Sequence, residues 1–254
     1  MTYCVGMMLD DGLVFMSDTR TNAGLDNIST FKKMSIWEEK GERVITLLSS
    51  GNLATTQAVV SLLDERMKGS EERAPAIYAM PSMFQVARLV AETLRDVVNQ
   101  HHAGGLQADN SFKATLILGG QIAGMPPRLF LIYPEGNFIE ASRDTPFFQI
   151  GEMKYGRPIL VRAYNPAMGF EAAMKLLLVS FDSTVKANLS VGAPFDFHLY
   201  RNDSLGIGHH GRIEASDPYF REISIGWGDA LKSALDSLPE FAFPDPGPDS
   251  RAGA

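Results

Sequence analysis

The chain has 254 residues, of which 45% are hydrophobic and 21% are charged, and its formal net charge is −7. These proportions are typical of a globular protein with one large domain or two small ones. The 23 basic residues form no stripe, and no apolar run approaches the roughly 18 residues of a membrane span, which argues against nucleic-acid and membrane partners. The single cysteine, Cys4, excludes an internal disulfide framework and predicts a reducing, cytoplasmic compartment.

The N-terminal quarter has the pattern of short buried strands. Its first nine residues are apolar, but no positively charged segment precedes them, so they predict a strand and not a signal peptide. The Asp10-Asp11-Gly12 sequence that follows is a strong hairpin signal. The strands predicted in this part are residues 2–9, 13–17, 31–36 and 44–48, with a polar loop over residues 20–30 and a turn of small residues at 49–52.

The remaining sequence alternates between blocks of helix and blocks of strand. Apolar residues at helical spacing predict helices around residues 59–67 and over residues 84–100, 169–188 and 228–238. Further strands are predicted over residues 113–118, 129–133, 138–141, 147–150 and 195–200, and near 211–214 and 220–225. We expect one domain over residues 1–241 and a disordered tail rich in Pro, Gly and Asp over residues 242–254.

The order of these elements predicts the fold class. The strands come in hairpin groups, which indicates antiparallel sheets, and the helices do not alternate with single strands, which argues against a doubly wound fold. The first strands are apolar on both faces, as in a sheet that is covered on both sides. We therefore expect an α+β protein, a four-layer αββα sandwich of two antiparallel sheets.

Several short motifs match known patterns without the context that those patterns need. Residues 206–211 match the dinucleotide-binding fingerprint as a string, but no helix is predicted to open there. Residues 29–32 match the S-x-x-K string of penicillin-recognising enzymes but lead into a strand. The two pairs of adjacent histidines lack metal-ligand spacing. The sequence thus predicts no cofactor and no metal.

Thr2 is the candidate nucleophile. If Met1 is removed, Thr2 carries a hydroxyl nucleophile and an α-amine base on one residue. The reference pKa of an α-amine is about 7.7–8.0, which is near the working pH of an enzyme and suits a general base.

Three residues at predicted strand ends could support this chemistry. Asp18 ends the second strand, beside the start of the first, and Lys33 lies on the third. A buried Asp–Lys pair is costly in desolvation, which favours a functional role: Lys33 would keep the amine neutral and lower the pKa of the Thr2 hydroxyl, and Asp18 would hold Lys33 charged and oriented. Gly51, expected to open the helix after the fourth strand, could direct its N–H at a developing oxyanion.

Taken together, these residues resemble the proteasome β-subunit family of N-terminal-nucleophile hydrolases, and within it the bacterial Anbu (ancestral β-subunit) group. The residues that carry the resemblance are Thr2, Gly12, Ser17-Asp18-Thr19-Arg20, Gly24, Lys32-Lys33-Met34 and Ser50-Gly51. The resemblance implies the αββα sandwich, a threonine-type peptidase with Thr2 as nucleophile, and self-assembly into a ring or an open helical turn. Any ATPase partner is left open.

The sequence departs from the family pattern at one turn, and other residues follow from the resemblance by loose alignment. The family's Gly-Ser-Gly turn is Gly151-Glu152-Met153 here, so that a carboxylate stands where a serine neighbours the threonine amine. The remaining residues implied by the family are Asp182 or Ser183 and Ser190 as further catalytic residues, and Thr21, Phe31, Ser49 and Leu53 as the first specificity pocket.

Two alternatives stay open at this point. Glu152 could retain the proton of the amine and slow it as a base, which favours a self-assembling scaffold or binding chamber with little peptidase activity. An N-terminal-nucleophile amidase that acts on a small amide also fits the same residues.

Overall fold

The computed structural model describes residues 2–22, 28–68, 75–102 and 112–243. The strands in these ranges are β1 (Tyr3–Leu9), β2 (Gly12–Asp18), β3 (Arg20–Asn22), β4 (Ile28–Thr30), β5 (Met34–Glu39), β6 (Arg43–Gly51), β7 (Ala114–Ile122), β8 (Arg128–Ile132), β9 (Phe138–Glu140), β10 (Phe147–Gly151), β11 (Phe195–Arg201) and β12 (His209–Ile213). The helices are α1 (Leu53–Lys68), α2 (Met83–His102), α3 (Met153–Ala163), α4 (Phe170–Ala187) and α5 (Pro218–Asp236), with a 3-10 turn at Ile77–Ala79. None of these helices has the length and apolar character needed to cross a membrane.

The strands form two five-stranded antiparallel sheets. The first sheet has the order β10-β1-β2-β11-β12 and the second has the order β5-β6-β7-β8-β9, while β3 and β4 pair as a separate ribbon. β1 and β2 form the predicted hairpin, with Cys4 opposite Ser17 and Leu9 opposite Gly12. This register places the first residue of β1 beside the last residue of β2 at one edge of the sheet.

The two sheets pack face to face and each carries two helices on its outer face. The layer between the sheets contains Cys4 and Phe15 from the first sheet and Leu48 and Ile117 from the second. α1 and α2 cover the second sheet, and α3 and α4 cover the first. The predicted four-layer αββα sandwich is therefore confirmed, and it explains why β2 is buried along its whole length.

Four local predictions are wrong. The strand predicted over residues 220–225 and the helix predicted over 228–238 are one helix, α5, whose N-terminus is capped by the Asp217 side chain accepting from the Phe220 N–H at 3.0 Å. The predicted loop over residues 20–30 contains β3 and β4. The strand predicted from residue 31 begins at Met34; residues 31–33 lie before it, and of these Lys33 still accepts from the Ser49 N–H of β6 at 2.9 Å. Helix α3 was not predicted. The other predicted elements are present with shifted ends.

A histidine joins the two sheets through the middle of the core. His198 on β11 is fully buried, its Nδ1 hydrogen-bonds Thr46 Oγ1 of the opposite sheet at 2.8 Å, and its ring stacks on Phe15. Burial, and secondarily the charge of His210, lowers the pKa of His198 to about 4. The neutral imidazole is thus the form that fits the core.

We expect His198 to make the folded protein sensitive to acid. The unfolded chain takes up this proton near pH 6.5, about 2.5 pH units above the folded protein, so the free energy of unfolding should fall by about 3 kcal/mol between pH 6.5 and 4. Urea unfolding of His198→Gln across this range should show a flatter pH dependence than the parent, whereas His209→Gln, an exposed control, should not. Equal slopes for the parent and His198→Gln would contradict this assignment.

Candidate active site

Thr2 lies at the sheet edge where four strands end. It directly precedes β1, whose first residue, Tyr3, is opposite Gly151, the last residue of β10. On the other side the Tyr3 N–H donates to Asp18 Oδ1 at 3.0 Å, and Asp18 is the last residue of β2. Thr2 is almost fully buried, with 7% of its surface exposed. Its position is therefore fixed by backbone pairing on both sides.

A buried ion pair stands next to this strand end. Lys33 Nζ donates to Asp18 Oδ1 at 2.8 Å and to the Arg20 carbonyl at 2.6 Å. Asp18 is fully buried, and burial raises the pKa of its carboxyl, while Lys33 and the N–H groups of Tyr3 and Gly192 oppose that rise by favouring the ionised form. Two of the three N–H donors of Lys33 are thus committed to neighbours, and its side chain borders the same cavity as Thr2.

The second sheet contributes a helix N-terminus. The sequence predicts that Gly51 opens the helix after β6. In the structure Gly51 is instead the last residue of β6, and α1 begins at Leu53. The Asn52 side chain caps α1 by accepting from the Thr55 N–H at 3.0 Å. The positive end of the α1 dipole therefore points toward the Thr2 end of the sheets, where it favours negative charge.

These features surround one cavity of about 550 Å³. Its volume is within the range of small-ligand sites. Its charged side chains are Lys32, Lys33 and Glu152, and the rest of the wall is polar or small apart from one leucine. The residues that line it are Thr2, Thr21, Lys32, Lys33, Ser49, Ser50, Gly51, Leu53, Thr56, Gly151 and Glu152.

The turn from β10 into α3 closes the cavity beside Thr2. The Glu152 N–H donates to the Thr2 carbonyl at 2.7 Å. Gly151 has a φ of +84°, and a Cβ on it would lie 1.8 Å from the Thr2 carbonyl oxygen, so only glycine permits this close approach. Glu152 is the N-terminal flanking residue of α3, but its side chain makes no capping hydrogen bond. Its carboxylate is therefore not committed to the helix.

The structure brings most, but not all, of the predicted site residues together. Thr2, Lys33, Gly51, Thr21, Ser49 and Leu53 line the cavity, and Asp18 lies directly behind Lys33. Three predicted positions are not among those that line it: Phe31, Ser190, and Asp182 with its alternative Ser183.

Each of these three has a different location. The Phe31 N–H donates to the Thr19 carbonyl at the start of the turn before β5. Ser190 Oγ donates to Asn188 Oδ1 at 2.6 Å in the turn after α4. Asp182 faces α5 from α4 and borders a groove between these two helices. Gly24 of the quoted stretch lies outside the described residues.

Sequence reasoning missed two kinds of contributor. Thr56 lines the cavity because it lies one turn into α1, a position that the capping residue Asn52 could have indicated. The Arg20 carbonyl and the Gly192 N–H are backbone groups, and their positions depend on how the chain folds around Asp18. No residue pattern marks such groups in a sequence.

The chain is similar to several proteins of known structure. No protein-family model matches the chain, and neither does any curated protein. An Anbu (Gly-1) mutant from Hyphomicrobium sp. strain MC1 is 48% identical over 96% of this chain and 100% of its own, with a TM-score of 0.88. Anbu (ancestral beta-subunit) from Yersinia bercovieri is 46% identical over 95% and 100%, with a TM-score of 0.88.

A third relative is described as a helical assembly: the Anbu complex from Pseudomonas aeruginosa. It is 44% identical over 94% of this chain and 98% of its own, with a TM-score of 0.87. Identity at this level over nearly the full length of each protein shows common descent as well as a common fold. The chain therefore belongs to the Anbu family of ancestral β-subunits, proteasome-related proteins with the N-terminal-nucleophile hydrolase fold.

Proposed function

We propose that the protein is a threonine-type amide hydrolase, a peptidase, whose nucleophile is Thr2 after removal of Met1. The observation that carries this proposal is the placement of Thr2 and Lys33 in one cavity, with Asp18 holding Lys33 from behind. A buried ion pair next to a small hydroxyl residue is costly to maintain, and it gives that hydroxyl a positive neighbour. We assign Thr21, Ser49 and Leu53 to the wall that contacts the substrate.

The reaction that we propose uses both groups of Thr2. The α-amine takes the hydroxyl proton as Oγ attacks the substrate carbonyl, and the Gly51 N–H and the α1 N-terminus stabilise the oxyanion. The amine then gives the proton to the leaving nitrogen, which departs and leaves an acyl ester on Oγ. A water molecule, deprotonated by the amine, hydrolyses the ester and restores Thr2. Lys33 stays charged throughout and lowers the pKa of the attacking hydroxyl.

Glu152 supports a second candidate function. Its carboxylate borders the cavity, and its backbone is bonded to the carbonyl of Thr2. A negative charge near the Thr2 amine favours the ammonium form, which cannot act as a base. This residue therefore favours slow turnover, and in the limit a binding chamber that keeps the fold without peptidase activity.

A covalent probe separates the two functions. Intact mass of protein from its native cell should be lower than the full chain by one methionine residue. A β-lactone should then add its own mass to the same protein, and peptide mapping should place the adduct on Thr2. Retention of Met1 would contradict the peptidase proposal. Loss of Met1 without labelling by any threonine-reactive probe would favour the binding chamber.

We also propose that the protein self-assembles through α5. None of the 19 residues of α5 is buried, although several large apolar side chains on it and on the segment after it are exposed. A surface of this kind typically marks a protein interface, and a relative from P. aeruginosa is described as a helical assembly. The exposed large apolar residues are Ile225, Leu231, Leu235, Leu238, Phe241 and Phe243. The rest of the predicted tail, from residue 244, lies outside the described residues. Because rings and open helices differ only in whether the subunit rotation closes, either can result.

Charges on this apolar surface should dissociate the assembly. The double variant Leu231→Glu/Leu235→Glu places two carboxylates on neighbouring turns of α5, and light scattering after gel filtration should report a smaller particle than the parent. Ser233→Glu adds a charge on the opposite face of α5 and should leave the particle unchanged. The far-ultraviolet circular dichroism should be the same in all three proteins, because no buried residue is altered. An unchanged particle in the double variant would contradict the proposal.

A further inference from the structure

A second cavity, of about 580 Å³, lies on the other side of the β10–α3 connection from Thr2. β10 borders both cavities: Phe147, Phe148 and Gln149 line the second, and Gly151 lines the first. α3 does the same, since its flanking residue Glu152 borders the first cavity while the residues from Met153 onward border the second. The two cavities therefore share one strand–helix unit as a wall.

Gln149 presents an acceptor that the protein leaves without a partner. Its side chain is 95% buried, and its Nε2 donates to the Tyr3 hydroxyl at 2.6 Å. The Ser180 hydroxyl donates its proton to the Gly156 carbonyl, so the Tyr3 hydroxyl donates to Ser180 Oγ. The Tyr3 oxygen therefore accepts from Gln149, and this sets the orientation of the Gln149 amide. Oε1 of Gln149 then has no hydrogen-bond partner among the described residues. A buried acceptor in this state favours a ligand with an N–H or O–H donor.

The rim of this cavity carries two guanidinium groups. Arg143 and Arg157 both line it, and neither forms an ion pair within the part of the chain that the structure describes. Asp144 is the one carboxylate in the lining, so the rim keeps an excess of positive charge. Guanidinium groups bind carboxylates with two parallel hydrogen bonds, which are stronger than neutral ones.

Apolar side chains form the remaining wall. Ile139 and Val161 are 45% and 59% exposed, respectively, and they lie on different elements that face the same space. A ligand for this cavity thus needs three features close together: a carboxylate, an N–H donor and an apolar side chain.

We propose that the second cavity binds the C-terminal end of a short peptide. Its carboxylate would bind Arg143 and Arg157, its last amide N–H would donate to Gln149 Oε1, and its last side chain would pack on the apolar wall. A peptide end carries these three groups on one residue. The proposal rests on the proposed peptidase function only in naming the products of hydrolysis as the natural source of such ends.

The second cavity is also connected to the first through hydrogen bonds. Gln149 is bonded to Tyr3, the neighbour of Thr2, and β10 continues directly into the Gly151–Glu152 turn that holds the Thr2 carbonyl. The two cavities are therefore joined by one hydrogen bond to β1 and by the strand that they share.

The test is direct binding to the Thr2→Ala variant, which cannot consume the peptide. We expect N-acetyl-Ala-Ala-Leu with a free carboxylate to bind at least about tenfold more tightly than the same peptide with a C-terminal amide, as measured by calorimetry. Arg157→Gln in this background should lose about tenfold or more in affinity for the acid, whereas Arg162→Gln, on the same helix but outside the cavity, should not. Equal binding of acid and amide, or full binding by the Arg157→Gln protein, would overturn the proposal.

Two further binding measurements distinguish the peptide assignment from the alternatives. Binding that occurs only in the dissociated Leu231→Glu/Leu235→Glu protein would mean that a second copy of the chain occupies the cavity, which would overturn the peptide assignment. Binding of the acid by a protein whose Thr2 resists every covalent probe would support the second cavity and refute only the peptidase function.

Discussion

Replacement of Thr2 by alanine is expected to lower kcat/KM for peptide hydrolysis by about 10³-fold or more, because it removes the only group that forms the acyl ester. Alanine is small enough for Met1 to be removed as before, so residue 2 still has a free α-amine. The fold should change little, since the Thr2 side chain has no hydrogen bond within the described residues and the bond from the Glu152 N–H to its carbonyl is unaffected. The measurement is steady-state cleavage of fluorogenic peptides.

Thr2→Ser is the matched control for this experiment. It keeps both the hydroxyl and the α-amine, and it loses only one methyl group from the cavity wall. We expect it to retain activity within about tenfold of the parent and to react with the β-lactone. If Thr2→Ala cleaves peptides as fast as Thr2→Ser, the nucleophile lies elsewhere in the protein.

The parts of the fold that were predictable from sequence are those with a local cause. Asp10-Asp11-Gly12 forms the expected hairpin because the Asp-Gly pair favours the turn that two paired strands need. The hairpin alone then places Asp18 beside the start of β1, and hence beside Thr2. The position of Lys33 is less local: Lys33 directly precedes β5, its carbonyl accepts from the Ser49 N–H of β6, and its side chain reaches Asp18 of the other sheet.

Helix α3 was missed because tertiary contacts override its sequence. It contains Gly156 and Pro158, both unfavourable in the interior of a helix. Gly156 is required there for a reason that sequence alone does not reveal: a Cβ at this position would lie 2.2 Å from the Tyr3 hydroxyl. The packing of Tyr3 against α3 therefore explains both why residue 156 is glycine and why this segment is helical.

Helix α5 is a different case, since its signal was present in the sequence. The apolar and polar residues of Ile223-Ser224-Ile225 alternate as in a strand, but Asp217 followed by Pro218 is typical of a helix start. Phe220 and Ile223, three residues apart, both pack on the core beside α4. Asp182 borders the groove between α4 and α5 and not the cavity beside Thr2, so its position does not support the catalytic role that the loose alignment implies.

The other large effect is expected at Asp18. Asp18→Asn leaves Lys33 charged and only 6% exposed, without a counter-ion, so the free energy of unfolding should fall by about 3–5 kcal/mol. The activity should fall by about 10²-fold or more, because Lys33 is no longer held toward Thr2. Asp229→Asn is the control: Asp229 pairs with Lys232 on the exposed face of α5, and such pairs contribute less than about 1 kcal/mol.

A double variant distinguishes stability from catalysis at this pair. Asp18→Asn/Lys33→Met removes both charges and leaves no buried charge without a counter-ion, so most of the lost stability should return. The activity should not return, because the positive neighbour of the Thr2 hydroxyl is then absent. Urea unfolding and kcat/KM measured on the same preparations give both answers. Turnover by the double variant within about threefold of the parent would show that the pair is structural only and that Lys33 has no part in activating Thr2.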